Sequence, residues 1–177
     1  MEVYAYGYYI FNILLAKYSI DTIDQKILTY LIENARMPFL EIARECGISG
    51  AAIHQRVKKL EEVGVITGSR LEIDPKALGQ DVCAYVGIQI AQANYYDSVV
   101  QALKSIPEVV ECHFITGKYS VFIKLFCKNN EQLMNIMVNV IHGIYGVSQT
   151  ETFLSLNQVF ERQMNVDVLE VIKKGNK

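Results

Sequence analysis

Tryptophan is absent from this 177-residue chain, proline and histidine occur three times each, and no two of the four cysteines stand in a C-x-x-C arrangement. His54, His113 and His142 fall in three different predicted elements, and H-E-x-x-H, G-x-S-x-G and P-loop spacings are missing. The usual marks of metallohydrolases, serine hydrolases and nucleotide hydrolases are therefore lacking. The chain reads as a non-enzyme that holds no metal and no cofactor. Cys46, Cys83, Cys112 and Cys127 each lie in an apolar run and read as small buried hydrophobes, with the reduced thiols expected in the cytoplasm. Net charge is also scarce, at -2 with histidine neutral, so any contact with a polyanion must come from a local patch. No apolar run reaches the roughly 20 residues of a membrane span. Residues 1–20 cluster Ile10, Phe11, Ile13, Leu14 and Leu15 but lack a basic n-region and a small-residue cleavage site. They read as an extension that packs on the body or on a neighbouring subunit, with no membrane partner.

What the chain does have is 51% hydrophobic residues, enough to build a core, arranged in two distinct rhythms. From Asp21 the apolar residues recur at three-to-four spacing. Ile23, Ile27, Leu28, Leu31 and Ile32 form one stripe behind an Asp21 N-cap, with Asp24 at the positive end of the helix dipole. Pro38 opens a second helix to about Cys46, with Leu40, Ile42 and Ala43 as its inward side. Gly47 then supplies a left-handed turn, Ser49 caps a third helix to about Val63, and Ile53, Val57, Leu60 and Val63 face inward. Two short helices about a glycine turn make a helix-turn-helix signature. The stretch Val65–Ile73, interrupted by Gly68, predicts a wing hairpin or an extended strand.

Asp74-Pro75 and Gly79-Gln80-Asp81 punctuate the chain. The expected division is an extension over 1–20, a helix-turn-helix domain over 21–73, a hinge over 74–81, a second domain over 82–160 and a tail over 161–177. In that second domain strands are predicted over Val82–Ala91, Val109–Ile115, Tyr119–Cys127 and Val147–Leu156. Helices are predicted over Tyr95–Ser105 and Asn130–Ile144, the latter with Leu133, Ile136, Met137, Val140 and Ile141 inward. The order β-α-β-β-α-β predicts an α+β, ferredoxin-like domain, a four-stranded antiparallel sheet with both helices on one face. The uncovered face would carry Tyr85, Phe122 and Phe153, which calls for a second subunit.

Several stretches, in order, resemble the Lrp/AsnC (feast/famine) transcription regulators: Asp24-Gln25-Lys26-Ile27-Leu28, Glu41-Ile42-Ala43, Arg56-Val57-Lys58-Lys59-Leu60-Glu61 and Gly64-Val65-Ile66-Thr67-Gly68. The resemblance runs from Ile20 to about Leu156. Thr116-Gly117-x-Tyr119-Ser120 and Thr150-Glu151-Thr152 are most similar to the asparagine-responsive AsnC branch. Many members have Asp where Ser120 stands, whereas AsnC-like members have Ser. His142 stands where AsnC-like proteins carry an amide. The resemblance implies a winged helix-turn-helix that binds double-stranded DNA, an amino-acid effector (asparagine), and homodimers assembled into an octamer.

On the third helix the face opposite Ile53, Val57 and Leu60 presents Ala51, His54, Gln55, Lys58 and Lys59, with Arg56 at its boundary and Ser49 at its start. Gln55 can pair with adenine, Ala51 can meet a thymine methyl, and Lys58, Lys59 and Arg70 suit phosphates. The effector is expected at the turn Thr116, Gly117, Lys118, Tyr119 and Ser120. There Gly117 admits close backbone approach, loop N–H groups can hold a carboxylate, and Thr116 and Ser120 offer neutral hydrogen bonds. Where the family places its effector, Phe114, His142, Gln149, Thr150 and Thr152 are further lining candidates. Two other readings remain: a DNA-compacting architectural protein with weak sequence preference, and an amino-acid sensor that acts on enzymes.

Overall fold

The computed structural model describes residues 19–166, so nearly all of the expected N-terminal extension and residues 167–177 lie outside it. The chain divides into two compact units. The first runs to Leu71 and takes up the chain again from Arg162; the second is Glu72–Glu161. Among the described residues no helix is long and apolar enough to cross a membrane.

The first unit contains α1 (Thr22–Glu33), α2 (Phe39–Cys46) and α3 (Gly50–Glu62). Asp21 caps α1 by accepting from the amides of Ile23 and Asp24, and Asp24 returns the bond to the Asp21 amide, which closes a capping box. Gly47 adopts φ 67°, and the Ile48 N–H reaches the Ala43 carbonyl at 3.1 Å to close the end of α2. Ile27, Ile42, Ala43, Ile53 and Val57 form the core of the three-helix arrangement. Ile32 and Leu40, expected inside, are exposed at 41% and 61%. The α2 core is made by Ile42 and Ala43, and Leu40 lies outside the stripe they define. No strand forms over residues 65–81, so the expected wing hairpin is not paired. The chain runs irregularly to a short 3₁₀ turn at Lys76–Leu78.

Sequence periodicity gave no sign of the return of the C-terminal segment to this unit. Val166, 6% exposed, packs with Leu28 of α1 and Leu60 of α3. A wedge from far along the chain thus completes a core that the sequence places wholly before residue 74.

The second unit is built on β1 (Val82–Ile90), α4 (Tyr96–Lys104), β2 (Val109–Phe114), β3 (Val121–Cys127), α5 (Asn130–Asn135) with a π-helical continuation (Ile136–Ile141), and β4 (Val147–Ser155). The strands pair antiparallel in the order β2-β3-β1-β4. Alternation along β1 and β3 buries Ala84, Val86, Ile88, Val121, Ile123 and Leu125 with Val99, Leu103, Leu133, Ile136 and Ile141 of the helices. The π segment corrects one expectation: Val140 is 40% exposed, while Ile141 is fully buried. The wider turn moves the inward position from i+4 to i+5 after Ile136. Cys112 is exposed, contrary to its reading as a buried hydrophobe, because β2 is an edge strand whose residues from Val110 to Phe114 face solvent. Cys127 lies in the core, and burial, with Glu108 nearby, pushes its thiol up to about 11.

The other sheet face carries Tyr85, Phe122 and Phe153 in a row, with centroids 6.1 Å and 6.3 Å apart. Beside them Lys124, 7% exposed, pairs with Glu111 at 3.3 Å. Burial pulls its ammonium down, but Glu111 and Tyr85 outweigh that and hold it above the ordinary lysine range.

Val166→Ala should destabilise the first unit by about 1.5 kcal/mol, the value of two buried methyl groups. The denaturation midpoint followed by a probe on α1 or α3 checks this. An unchanged midpoint would show that the wedge contributes nothing.

Candidate functional site

The third helix presents the first candidate surface. Ala51, His54, Gln55, Lys58 and Lys59 are all exposed, opposite the buried Ile53, Val57 and Leu60. Ser49 begins the helix by accepting from the Ala52 amide at 3.2 Å, so its hydroxyl is engaged in capping. His54 is exposed but steadied edge-on against Phe39 of α2, with centroids 4.6 Å apart. Lys59 meets Glu62 at 3.5 Å, a surface pair worth little. Lys58 and Arg70 have no acidic partner among the described residues, and both are exposed. Arg56 is placed differently from the rest. Its Nη1 donates to Asp21 and to Asp24, each at 2.8 Å. Partial burial pushes the Asp21 carboxyl up, but the Asp24 amide and the Arg56 guanidinium outweigh it and hold it below the usual aspartate range.

In the second unit the residues named from sequence gather about the C-terminal end of β1, on its two sides. On the β4 side a cleft of about 310 Å³ is lined by His142, Val147, Ser148, Gln149 and Thr150. His142 Nε2 lies 2.8 Å from the Thr150 hydroxyl, directly after the π-helical turn. The β1–β4 register shifts between Gln89 and Ile90, so Ser148 is an extra residue on β4, and its hydroxyl donates to the Gln89 carbonyl at 3.1 Å. Ser148 was not singled out from sequence; a bulge shows itself only once strands pair.

On the β3 side stands the turn Thr116–Ser120. Gly117 has φ +113°, a conformation that favours glycine, and nothing lies within 4 Å of where a Cβ would be. The Ser120 amide donates to the Ile88 carbonyl at 2.9 Å, and its hydroxyl accepts from the Ile90 amide at 3.4 Å. Tyr119 lies flat against Gly87, where an added Cβ would come within 2.5 Å of the ring. Lys118 crosses to Glu151 of β4 at 2.5 Å. Gly87 and Glu151 were both missed; an isolated glycine inside a strand run is the signal that could have found the first.

These two groups do not share the cleft. Phe114, Thr116, Gly117, Lys118, Tyr119, Ser120 and Thr152 are not among its lining residues. Phe114 instead meets Tyr96 edge-on at 4.9 Å. The chain therefore offers two groups of hydrogen-bonding residues, one on either side of β1. Among the described residues no group of three His, Cys, Asp or Glu side chains could hold a metal ion.

Gly87→Ala should dislodge Tyr119 and with it the Thr116–Ser120 turn, since the blocking atoms belong to a ring held beside the sheet. Tyrosine ring signals followed by NMR should shift, and the melting temperature should fall. Unmoved Tyr119 resonances would refute the contact.

Comparison with known proteins adds the context. Residues 83–164 match the Lrp/AsnC ligand binding domain, and residues 20–67 match a winged helix-turn-helix DNA-binding domain. Regulatory protein AsnC of Escherichia coli strain K12 is 38% identical over 148 residues, which span 84% of this chain and 97% of that protein. HTH-type transcriptional regulator FL11 of Pyrococcus horikoshii is 36% identical, over 77% of this chain and 89% of its own. Among solved structures, that of E. coli AsnC superposes with a TM-score of 0.79 over 84% of this chain and 99% of its own, at 38% identity. A Neisseria meningitidis transcriptional regulator in complex with L-Met superposes at 0.78, over 81% and 94%; at 20% identity it shares the fold. With the outward face of α3 and the cleft and turn of the sheet unit in view, the chain belongs to the Lrp/AsnC family of DNA-binding, effector-modulated transcription regulators.

Proposed function

We propose that this regulator reads specific DNA half-sites through α3 and is controlled by asparagine bound at the C-terminal end of β1. The observation that carries the reading is the composition of the cleft and turn. His142, Ser148, Gln149, Thr150 and Ser120 are uncharged or weakly basic hydrogen-bonding groups, suited to an amide side chain. Thr116, Gly117 and Lys118 are exposed, and the backbone N–H groups of this turn suit the carboxylate of a free amino acid. Because the two groups lie on opposite sides of β1, the complete pocket combines one of them with residues from a neighbouring copy. The solved relative from N. meningitidis holds L-Met, which supports an amino acid as the class of ligand.

On α3, Gln55 and Ala51 are offered to base edges and Lys58, Lys59 and Arg70 to phosphates, with His54 steadied by Phe39 beside them. Reading then occurs in duplicate. The apolar row Tyr85, Phe122 and Phe153 is the surface a second copy covers, and pairs assemble further, to an octamer. A homodimer spaces its two helices at about 34 Å, one turn of duplex. The protein acts in the cytoplasm, by binding rather than catalysis.

An architectural role with weak sequence preference is disfavoured by the charges. Arg56 is bound to two carboxylates and the chain carries a formal net charge of -2, which gives little support to binding that depends on phosphates alone. Nuclease footprinting on duplexes selected by the protein from random sequence should show discrete protected half-sites. Uniform protection would favour compaction instead.

A thermal-shift screen of the twenty amino acids tests the effector. Asparagine should give the largest upward shift, because ligand bound to the native state raises its apparent stability. A larger shift with another amino acid would reassign the effector. No shift with any would remove this half of the proposal.

A further inference from the structure

The Arg56 site stands out because its residue type suggests one role and its geometry another. An arginine on the helix that faces DNA is ordinarily read as a phosphate contact. Here the Arg56 side chain is 30% exposed, and the two acids that hold it are the N-cap and a first-turn residue of α1. One is Asp21 at 49% exposure; the other is Asp24, buried at 1%. Those acids already cap α1: Asp21 Oδ1 takes the amides of Ile23 and Asp24, and Asp24 Oδ2 takes the Asp21 amide. Each carboxylate thus spends one oxygen on the end of α1 and the other on Arg56. Both of these guanidinium bonds therefore run inward to the cap of α1, through the same Nη1, and draw Arg56 away from a phosphate.

The position of Arg56 on α3 gives this tie a mechanical meaning. Arg56 lies on the flank between the buried stripe of Ile53, Val57 and Leu60 and the outward face that holds Gln55 and Lys58. Apolar burial is non-directional, whereas charge-assisted hydrogen bonds fix distance and angle and so add rotational definition to the helix. A side-chain tip rides at roughly 5–6 Å from the axis, so a roll of about 20° would move it by about 2 Å. That exceeds the distance window of a hydrogen bond to a base edge.

We propose that Arg56 is a positioning residue for DNA reading: anchored by Asp21 and Asp24, it sets the rotation of α3 and makes no phosphate contact of its own. The proposal rests on the reading that the outward face of α3 meets DNA. Sequence discrimination then depends on a cap of α1, a helix that need not touch a base.

The test measures affinity against salt concentration for two duplexes of equal length, one carrying half-sites selected by the protein from a random pool and one scrambled. Arg56→Gln should weaken binding to the selected duplex roughly tenfold, the scale of one lost base contact. Binding to the scrambled duplex should barely change, and the log–log salt slope should be retained. Lys58→Ala should instead weaken both duplexes and reduce the slope by about 0.9, the signature of one phosphate. Asp21→Asn removes a charge but keeps an oxygen and a favourable N-cap residue, so it spares α1. It too should lower the selected-to-scrambled ratio, although it takes a negative charge away from the DNA side. Combined with Arg56→Gln it should add little further loss. Should Arg56→Gln fail to fold, Asp21→Asn decides the matter by itself. A slope reduced by about 0.9 in Arg56→Gln, or tighter binding to both duplexes in Asp21→Asn, would make Arg56 a phosphate contact and overturn the proposal alone. Unaltered binding and slope in Lys58→Ala would remove the α3 face from the DNA, and the proposal with it.

Discussion

The central strand β1 is hydrogen-bonded along both edges, to β3 on one side and β4 on the other, and it places Tyr119, Ser120, Gln149, Thr150 and Thr152 among the candidate effector residues. Ser120 is placed by the carbonyl of Ile88 and the amide of Ile90, and Tyr119 by the bare backbone of Gly87. On the other edge Thr150 lies opposite Ile88, and Ser148 is forced out as a bulge that bonds Gln89. Such groups keep their spacing because moving one would break ladder hydrogen bonds, each costly to leave unmade in a buried strand. The Lys118–Glu151 pair spans the same strand end from one side to the other. The geometry of the site is thus a property of the sheet, and the loop contributes only chemistry.

A different economy governs the three-helix unit. Its charges are nearly balanced, and Arg56, which might have joined a basic patch, is held within the protein by Asp21 and Asp24. A surface so arranged gains little from nonspecific attraction to phosphates and must rely on fit. Duplication through the aromatic sheet face would compensate, since a second linked contact multiplies a weak first one. On the proposed reading, the open sheet doubles a face of α3 that is itself sparing in charge.

Local pattern made much of this legible. The stripes of α1 and α3, the Asp21 cap, the Gly47 turn, and the four strands with their order all follow from periodicity and punctuation, because each reflects neighbours within a turn or two. The departures share a cause. The extra residue of the π turn that exposes Val140, the bulge at Ser148 and the exposed edge at Cys112 depend on how elements meet. Periodicity within one element carries no trace of that. Arg56 is the instructive case. Its type and place on the helix are visible in the sequence, yet its partners lie more than thirty positions earlier, and their caps had already supplied a sufficient reason for them. The unpaired Val65–Ile73 stretch has β-prone residues but no strand beside it among the described residues.

The return of Val166 to a pocket between Leu28 and Leu60 bears on how such a regulator can be divided. A fragment cut at the apparent domain boundary near residue 72 would hold α1, α2 and α3 and yet be missing a piece of its own interior. Supplied separately, a short peptide ending in that valine would have a slot waiting for it. The covalent order of the chain and the order in which its parts complete one another are not the same.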